Sequence, residues 1–412
     1  MERRKIVDYW KYPAILLFGI GISSIGSWIY FIALNVIVFN MTGSPLAVAA
    51  LYIINPLATL FTNLWGGSVV DRVNKKHFMI VLDLIQGVLI TCLAFSTNTL
   101  WAIYLFVFLI NMVSSLYDPT SIGYITRLIP REQRQRFNSL RSLLDSGAFI
   151  LGPAITGMLF ILGTPLYAIF INGLSFFFSA LVTLWMPNVE KNKPLDHVSN
   201  QKLSLHVIKK DFMVVIRFSR RYLYVMIVYF LFTAFVVLQT AVDSLEVAFA
   251  REVISLSEGA YGFLVSTAGA GILIGALCNA VFAKKLSIRF IIGLGSVMVS
   301  VGYLIFAFSS NFTMASVGFF VLAFSLAFAN TGFHTFYQNN IPVEIIGRIS
   351  SIYGFLEALL VIVLTAIFAV GAQVLSIKLV VISGASSMFI LTIVLFIICL
   401  APSKRKHYDV AP

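Results

Sequence analysis

The sequence predicts an all-α membrane protein with twelve transmembrane helices in two six-helix halves. Of the 412 residues, 59% are hydrophobic and 11% are charged, whereas a soluble domain carries about 25% charged residues. The hydrophobic residues fall in blocks of about 20 or more, the length that a helix needs to cross a bilayer core of about 30 Å. A water-soluble surface cannot be built from this composition.

A third observation, the distribution of lysine and arginine, predicts the orientation. Cation-rich connections alternate with connections that hold only Arg251 and Lys378. Because cation-rich loops stay in the cytoplasm, we expect a multi-pass protein of the cell membrane with both termini cytoplasmic. The net charge of +12 then sets the topology in the lipid bilayer, and no nucleic acid is expected as a partner.

The apolar blocks define the elements in order. The first six spans are expected near residues 12–39, 46–70, 77–95, 101–125, 138–161 and 166–186. The second six are expected near residues 222–249, 259–282, 289–308, 313–338, 349–371 and 377–400. The predicted domains are therefore an N-terminal bundle at 1–186, a cytoplasmic linker at 187–221 and a C-terminal bundle at 222–412.

The linker itself carries a helical pattern. Leu205, Ile208, Phe212 and Val215 recur at helical spacing among lysines and arginines. This pattern predicts an amphipathic helix on the inner membrane face or, alternatively, a plain helical linker.

An internal repeat connects the two halves. Aligning Pro130 with Pro342 without gaps places both copies on a connection that runs into the fifth span of its half. The repeat predicts two parallel halves related by an axis along the membrane normal. The other matched pairs are Ile129 with Ile341, Glu132 with Glu344, Arg136 with Arg348, Ser139 with Ser351, Leu140 with Ile352, Leu144 with Leu356 and Asp145 with Glu357.

Two motifs resemble those of a known family. The first has the pattern G-x-x-x-D-R-x-x-K-K and contains Gly67, Asp71, Arg72, Lys75 and Lys76. The second, in the fifth span, contains Gly147, Gly152, Pro153 and Gly157, with Thr156 in place of one glycine of G-P-x-x-G-G. Further matches are Thr42 to Pro45, Asp83, Asp118 with Pro119, Asn138 to Leu140, and Gly347 to Ser350.

Together these residues resemble the major facilitator superfamily, in the drug-exporter branch with macrolide efflux proteins and siderophore exporters. The resemblance implies the major facilitator fold, and it implies export. Asp71 is implied to face a helix start, where an anion is favoured by about 0.3–1 kcal/mol, as part of an inner gate. The alternative for Lys75 and Lys76 is that they only set topology. Gly152, Gly157 and Pro153 match the antiporter motif, although helix packing alone also explains them.

Acids inside spans are functional candidates, because a charge at the bilayer centre costs about 2.5–3.5 kcal/mol or more. Glu357 ranks first, since Tyr353 and Val361 offer no cation and an isolated carboxyl there should often be neutral. Asp145 ranks next and can pair with Arg141, four residues earlier. The third proton-coupling candidate is Asp83, which also suits a gate or a helix-packing role, and a hydrogen-bonded structural acid is the alternative for all three.

The sequence also predicts the depth in the membrane of three further acids, and it offers four polar residues as candidates for a substrate cavity. Counted from Trp101, Asp118 is expected near the cytoplasmic surface, and Asp243 and Glu246 are expected near the outer end of the seventh span. Candidates for a substrate cavity with apolar walls are Tyr30, Asn35, Gln239 and His334.

The expected function is secondary active transport, namely proton-coupled efflux of lipophilic drugs or related small molecules by alternating access. The ligands are a small-molecule substrate and protons, and we expect a monomer without a cofactor. One alternative is a dedicated exporter of an endogenous metabolite or siderophore; another is a non-transporting membrane sensor. No enzyme is expected, because H-E-x-x-H, P-loop and metal-spaced cysteine patterns are missing from the sequence.

Overall fold

The computed structural model describes residues 2–63, 66, 69–70, 73–163, 165–190, 205–282, 287–401 and 408. The helices of the first half are α1 (Glu2–Thr42), α2 (Pro45–Asn63), α3 (Lys75–Phe95), α4 (Leu100–Leu128), α5 (Arg131–Leu162) and α6 (Leu166–Trp185). They are followed by α7 (Leu205–Arg221), α8 (Leu223–Asp243), α9 (Glu258–Phe282), α10 (Ile288–Ala307), α11 (Phe312–Asn340), α12 (Val343–Val374) and α13 (Ile377–Leu400).

Within these described ranges, twelve helices are long and apolar enough to cross a membrane. The predicted all-α class with twelve spans is therefore confirmed. The helix α7 is the additional element, and it covers the linker segment in which helical spacing was found.

Some helix ends differ from the predicted spans. α4 runs on to Leu128 and α5 begins at Arg131, so both helices extend past the apolar blocks. They are separated only by Ile129 and Pro130, because proline disfavours a helical residue before it. Further along the chain, α8 stops at Asp243, and the chain continues as a helical turn (Glu246–Ala248) and a π-helical turn (Phe249–Val253).

The two copies of the repeat share their local structure. α4 and α11 both have 29 residues, and α5 and α12 both have 32. Pro130 and Pro342 take the N-cap positions of α5 and α12 with nearly equal backbone angles, φ −60° and ψ 154° against φ −59° and ψ 139°. Proline suits a helix start because its fixed φ is helical and its missing N–H needs no partner there.

The chain forms two compact units. The first contains Met1–Gly43 and Ile54–Asn200, and the second contains Ser44–Ile53 and Gln201–Pro412. The start of α2 thus groups with the second unit, where Gln373 donates a 2.6 Å hydrogen bond to Ser44 Oγ. The predicted division at residues 186 and 222 stays a prediction.

The same helix pairs pack together in the two units. In the first unit α1 packs on α5 and α6, and α3 packs on α4 and α6. In the second, α8 packs on α12 and α13, and α10 packs on α11 and α13, while α9 also packs on α11. The end of α7 belongs to this second core, because Val215 and Phe218 are buried and Ser219 Oγ lies 2.6 Å from the hydroxyl of Tyr353.

Candidate functional site

Helices of the first unit line a partly open cavity of about 320 Å³. Helix α1 contributes Ser23, Ser24 and Ser27, and Ser23 and Ser27 donate hydrogen bonds to carbonyls of their own helix at 2.9–3.1 Å. Such local bonds satisfy hydroxyls inside an apolar span. The other residues that line the cavity are Ile20, Trp28, Gln86, Ser114, Tyr117, Asp118, Ser121, Arg141, Asp145 and Phe176.

Two acids and one cation meet in this cavity. Arg141 Nε lies 4.0 Å from Asp145 Oδ2, so the pair that the i,i+4 spacing predicted is present. Ser24 Oγ donates a 3.2 Å hydrogen bond to the other oxygen, Asp145 Oδ1. Asp118 lies within electrostatic range of both Arg141 and Asp145. When both acids are ionised, this charged triad carries one net negative charge.

Asp118 lines the cavity together with Asp145, a proximity that the sequence analysis did not predict. It stands ten residues before the end of α4 at Leu128, or about 15 Å at a rise of 1.5 Å per residue. Its expected depth near the cytoplasmic surface stays a prediction.

Asp83 lies outside the cavity. Its side chain is buried, and Oδ2 accepts a 2.9 Å hydrogen bond from Ser179 Oγ on α6. The contact holds α3 against α6, as a helix-packing role requires. The ring of Tyr117, which lines the cavity, lies close enough to Asp83 to interact with its charge. A proton-coupling role for Asp83 stays a prediction.

The fifth-span motif joins α5 to α1. A Cβ on Gly152 would lie 2.4 Å from the Cβ of Trp28, so only glycine permits this approach. Thr156, which replaces a motif glycine, donates to Gly152 O at 2.8 Å and to Ile29 O on α1 at 3.3 Å. A Cβ on Gly147 would have no neighbour within 4 Å. Pro153 and Gly157 are buried in the same helix.

Of the first motif, Gly67, Asp71 and Arg72 lie outside the described residues. The two lysines are visible at the start of α3. The Lys75 backbone N–H donates a 2.7 Å hydrogen bond to Glu190 Oε2, and its Nζ lies 3.8 Å from Glu190 Oε1. Lys76 Nζ donates to the carbonyl of Leu184 at 2.9 Å.

Glu190 is a residue that the sequence analysis missed. Besides Lys75 it contacts Arg127 at the end of α4, so one acid ties the ends of two helices to the segment after α6. The sequence does show an acid shortly after the sixth span, on the same predicted side of the membrane as the cation-rich connections.

Glu357, on α12, lies in an aromatic environment. It interacts electrostatically with Tyr229, whose ring packs against Tyr353 and Tyr337 at centroid distances of 5.7 and 5.8 Å. Among the described residues no cation pairs with Glu357. Whether it takes part in proton coupling stays a prediction.

The four candidates for a substrate cavity are polar residues of α1, α8 and α11. Asn35 is 1% exposed and donates to its own helix at Phe31 O, 2.8 Å away. Tyr30 has a buried hydroxyl, His334 is exposed, and Gln239 hydrogen-bonds Asp243. Within the described part of the chain none of the four lines the first-unit cavity, and their role stays a prediction.

A second acidic pair lies at the end of α8. Asp243 accepts a 2.5 Å hydrogen bond from the hydroxyl of Tyr303. Glu246, one turn later, is hydrogen-bonded to Tyr261. The nearby Arg251 is engaged elsewhere, with its NH2 group 3.9 Å from Glu258 and its NH1 group donating to Leu256 O.

An all-helical chain with twelve spans and a charged cavity inside a helical bundle belongs to the class of membrane transport proteins. The family model described as Major Facilitator Superfamily matches residues 16–365. The chain belongs to this superfamily. It is therefore a multi-pass membrane protein of a transporter family and not an enzyme.

Solved structures support the fold. The nucleoside transporter NupG (D323A mutant) aligns with a TM-score of 0.73 at 14% identity, over 94% of this chain and 98% of that one. A POT family transporter in complex with 5-aminolevulinic acid aligns with a TM-score of 0.75 at 10% identity, over 93% and 95% of the chains. At these identities the likeness shows the fold alone, and the predicted major facilitator fold is confirmed.

Curated relatives match only in part. The uncharacterized MFS-type transporter YfiS of Bacillus subtilis (strain 168) is 30% identical over 175 residues, which is 42% of this chain and 41% of YfiS. The multidrug resistance protein MdtH of Salmonella typhimurium (strain LT2) is 29% identical over 93 residues, 22% of each chain. The chain thus matches less than half the length of either relative.

Proposed function

We propose that the protein is a proton-coupled exporter of lipophilic drugs or related small molecules that works by alternating access. The observation that carries this proposal is the charged triad, in which Arg141 pairs with Asp145 at 4.0 Å and lies within electrostatic range of Asp118. One proton makes the triad neutral, and its loss leaves one negative charge. A site whose net charge changes with one proton is what proton coupling requires.

The coupling follows from solvation. A net charge is costly in a site that is closed off from water. The triad is therefore ionised when water reaches the cavity, and it takes up a proton before the cavity closes. In each state Arg141 compensates one carboxylate, so that the other carries the exchangeable proton. Arg141 acts here as a positioning residue, and Asp118 and Asp145 are the proton acceptors.

Two further features support the proposal. The fifth-span glycine motif resembles the antiporter motif, and it presses α5 against Trp28, whose ring lines the cavity. The partial likeness to MdtH, a protein named for multidrug resistance, favours drugs as substrates. We propose that the first motif, with Glu190 as its acidic partner, forms the inner gate, and that the monomer lies in the cell membrane with both termini in the cytoplasm.

The test has two stages. Overexpressing cells are screened for reduced susceptibility to, and reduced accumulation of, a panel of lipophilic compounds. The purified protein is then reconstituted into proteoliposomes, and efflux of each hit is followed with an imposed proton gradient. Export that collapses with a protonophore is the expected result.

Transport that continues without the gradient contradicts proton coupling. Hits restricted to siderophores or to one endogenous metabolite contradict the drug assignment and favour a dedicated exporter. Failure to move any compound in the presence of a gradient favours a membrane sensor.

A further inference from the structure

The end of α7 carries an exposed basic surface. Arg217, Arg220 and Arg221 are exposed, and none of the ion pairs among the described residues involves them. Arg220 and Arg221 follow Arg217 by three and four residues, so the three side chains share one side of the helix. Like charges at this spacing repel each other. A negatively charged partner removes this repulsion.

Packing on the second core fixes which side of α7 faces outward. Val215 is 1% exposed and Phe218 is 8% exposed, and Ser219 Oγ contacts the hydroxyl of Tyr353 on α12. With 3.6 residues per turn, the three arginines fall within an arc of about 100° on the side opposite Val215 and Phe218. The basic surface therefore faces away from the core of the second unit.

The same surface includes large apolar side chains. Phe212 is 49% exposed and Met213 is 48% exposed. By the same helical geometry, Met213 falls within the arc of the arginines and Phe212 lies beside it. The C-terminal end of a helix favours cations, which accounts for Arg220 and Arg221 but leaves the two apolar side chains unexplained. A helix that lies at a membrane interface combines cations with exposed apolar residues in this way.

The basic surface lies at the boundary of a membrane span. α8 begins at Leu223, which is 62% exposed. Arg220 and Arg221 are separated from Leu223 by at most about 5 Å of helix rise, and the headgroup layer on each side of a bilayer is about 5–7 Å thick. The guanidinium of Arg221 lies 5.8 Å from the ring of Tyr222, and tyrosine is enriched at this depth.

We infer that the end of α7 binds anionic phospholipids of the cytoplasmic leaflet. Arg217, Arg220 and Arg221 contact the lipid phosphates, and Phe212 and Met213 insert among the acyl chains next to the headgroups. Guanidinium groups suit this role because they bind phosphate through two parallel hydrogen bonds. The inference does not depend on proton coupling; it uses only the predicted cytoplasmic position of α7.

Lipid binding should stabilise the folded protein, because the buried side chains of α7 belong to the core of the second unit. The test is thermal unfolding of the purified full chain in detergent, with phospholipid added in mixed micelles. Phosphatidylglycerol is the anionic probe, and phosphatidylcholine with the same acyl chains is the neutral control. A ligand that binds only the folded state raises the unfolding temperature as it saturates its site.

The expected result is a saturable rise with phosphatidylglycerol, at a half-saturating concentration at least about tenfold below that of phosphatidylcholine. Inorganic phosphate at the same concentration should give no rise. Equal half-saturation by the two lipids overturns the inference, and so does an equal rise with inorganic phosphate, because the site then binds a free anion. A response to neither lipid overturns it as well and leaves the surface to an acidic protein segment.

Matched variants locate the surface. Replacing Arg217, Arg220 and Arg221 together by glutamine should raise the half-saturating concentration of phosphatidylglycerol at least about tenfold. Replacing the same three residues by lysine keeps the charge and should retain most of the response. Arg289→Gln is the control, because Arg289 also lies at the start of a span, with its guanidinium 5.5 Å from the ring of Phe290. An unchanged response in the glutamine variant, or an equal loss in Arg289→Gln, overturns the inference.

A second variant tests insertion separately from charge. Phe212→Ser with Met213→Ser removes the exposed apolar area and should raise the half-saturating concentrations of both lipids at least about threefold. The preference for phosphatidylglycerol over phosphatidylcholine should persist, because the arginines remain. Unchanged half-saturating concentrations overturn the insertion of these two side chains, and a lost preference overturns the assignment of the charge to the arginines.

Discussion

The fifth spans of the two halves have the same length and the same proline cap, yet their acids lie in different surroundings. Asp145 on α5 has the guanidinium of Arg141 at 4.0 Å and a hydrogen bond from Ser24. Glu357 on α12 has Tyr353 at the position that corresponds to Arg141, and the Tyr353 hydroxyl contacts Ser219 instead.

A second difference between the two halves lies on the helix that precedes the fifth span, which is α4 in the first half and α11 in the second. The position in α11 that corresponds to Asp118 is Asn330. The repeat therefore preserves the backbone and the acid of the fifth span, while both charged partners of the acid are present only in the first copy. A duplicated helix pair can thus specialise through two side chains, and this favours the first copy as the site of proton exchange.

The largest expected effect comes from removing the acids of the first copy. Asp118→Asn and Asp145→Asn should each lower gradient-driven efflux at least about tenfold, or about 1.4 kcal/mol, because Arg141 then neutralises the remaining carboxylate and no proton is needed to make the site neutral. Efflux from proteoliposomes with an imposed gradient measures this. The matched control is Asp243→Asn, whose acid lies outside the cavity, and an equal loss in that variant contradicts the assignment.

Removing the positive charge of Arg141 should have the next largest effect. In Arg141→Met the two carboxylates face each other uncompensated, so one of them holds its proton more tightly. The pH profile of efflux should move upward by about one unit, which corresponds to about 1.4 kcal/mol. Arg141→Lys keeps the charge and should restore most of the profile. An Arg141→Met profile that coincides with wild type contradicts the positioning role.

The two fifth spans also differ at the position of Gly152, which brings α5 close to α1. The corresponding residue of α12 is Leu364. Gly152→Ala places a methyl group 2.4 Å from Trp28 Cβ and should destabilise the protein by about 1–3 kcal/mol through overpacking. Thermal unfolding in detergent measures this. Gly147→Ala, with no neighbour within 4 Å, should be neutral or slightly stabilising, and equal destabilisation of both variants contradicts the packing role.

The smallest expected effect is that of the second acid. Glu357 lacks the cation partner that Asp145 has, as far as the described residues show, and Glu357→Gln removes its charge while keeping its size. Gradient-driven efflux should fall by no more than about threefold, or about 0.7 kcal/mol. A loss as large as that of Asp145→Asn means that the second copy exchanges the proton.

The sequence was sufficient for features that depend on neighbours along one helix. Hydropathy located the twelve spans, and the i,i+4 spacing located the contact between Arg141 and Asp145. The cavity was not predictable in this way, because Ser24 and Asp145 stand 121 residues apart and meet only through the packing of α1 on α5. The proximity of Asp118 and Asp145 was not predictable either, because the two acids lie on different helices, α4 and α5.

The central claim is that the exchangeable proton binds at Asp118 and Asp145, and infrared difference spectroscopy of the purified protein between acidic and alkaline pH tests it without any substrate. Wild type should show a protonated-carboxyl band that titrates with pH. That band should disappear in the Asp118→Asn, Asp145→Asn double variant and persist in Glu357→Gln. A band that persists in the double variant and disappears in Glu357→Gln contradicts the claim.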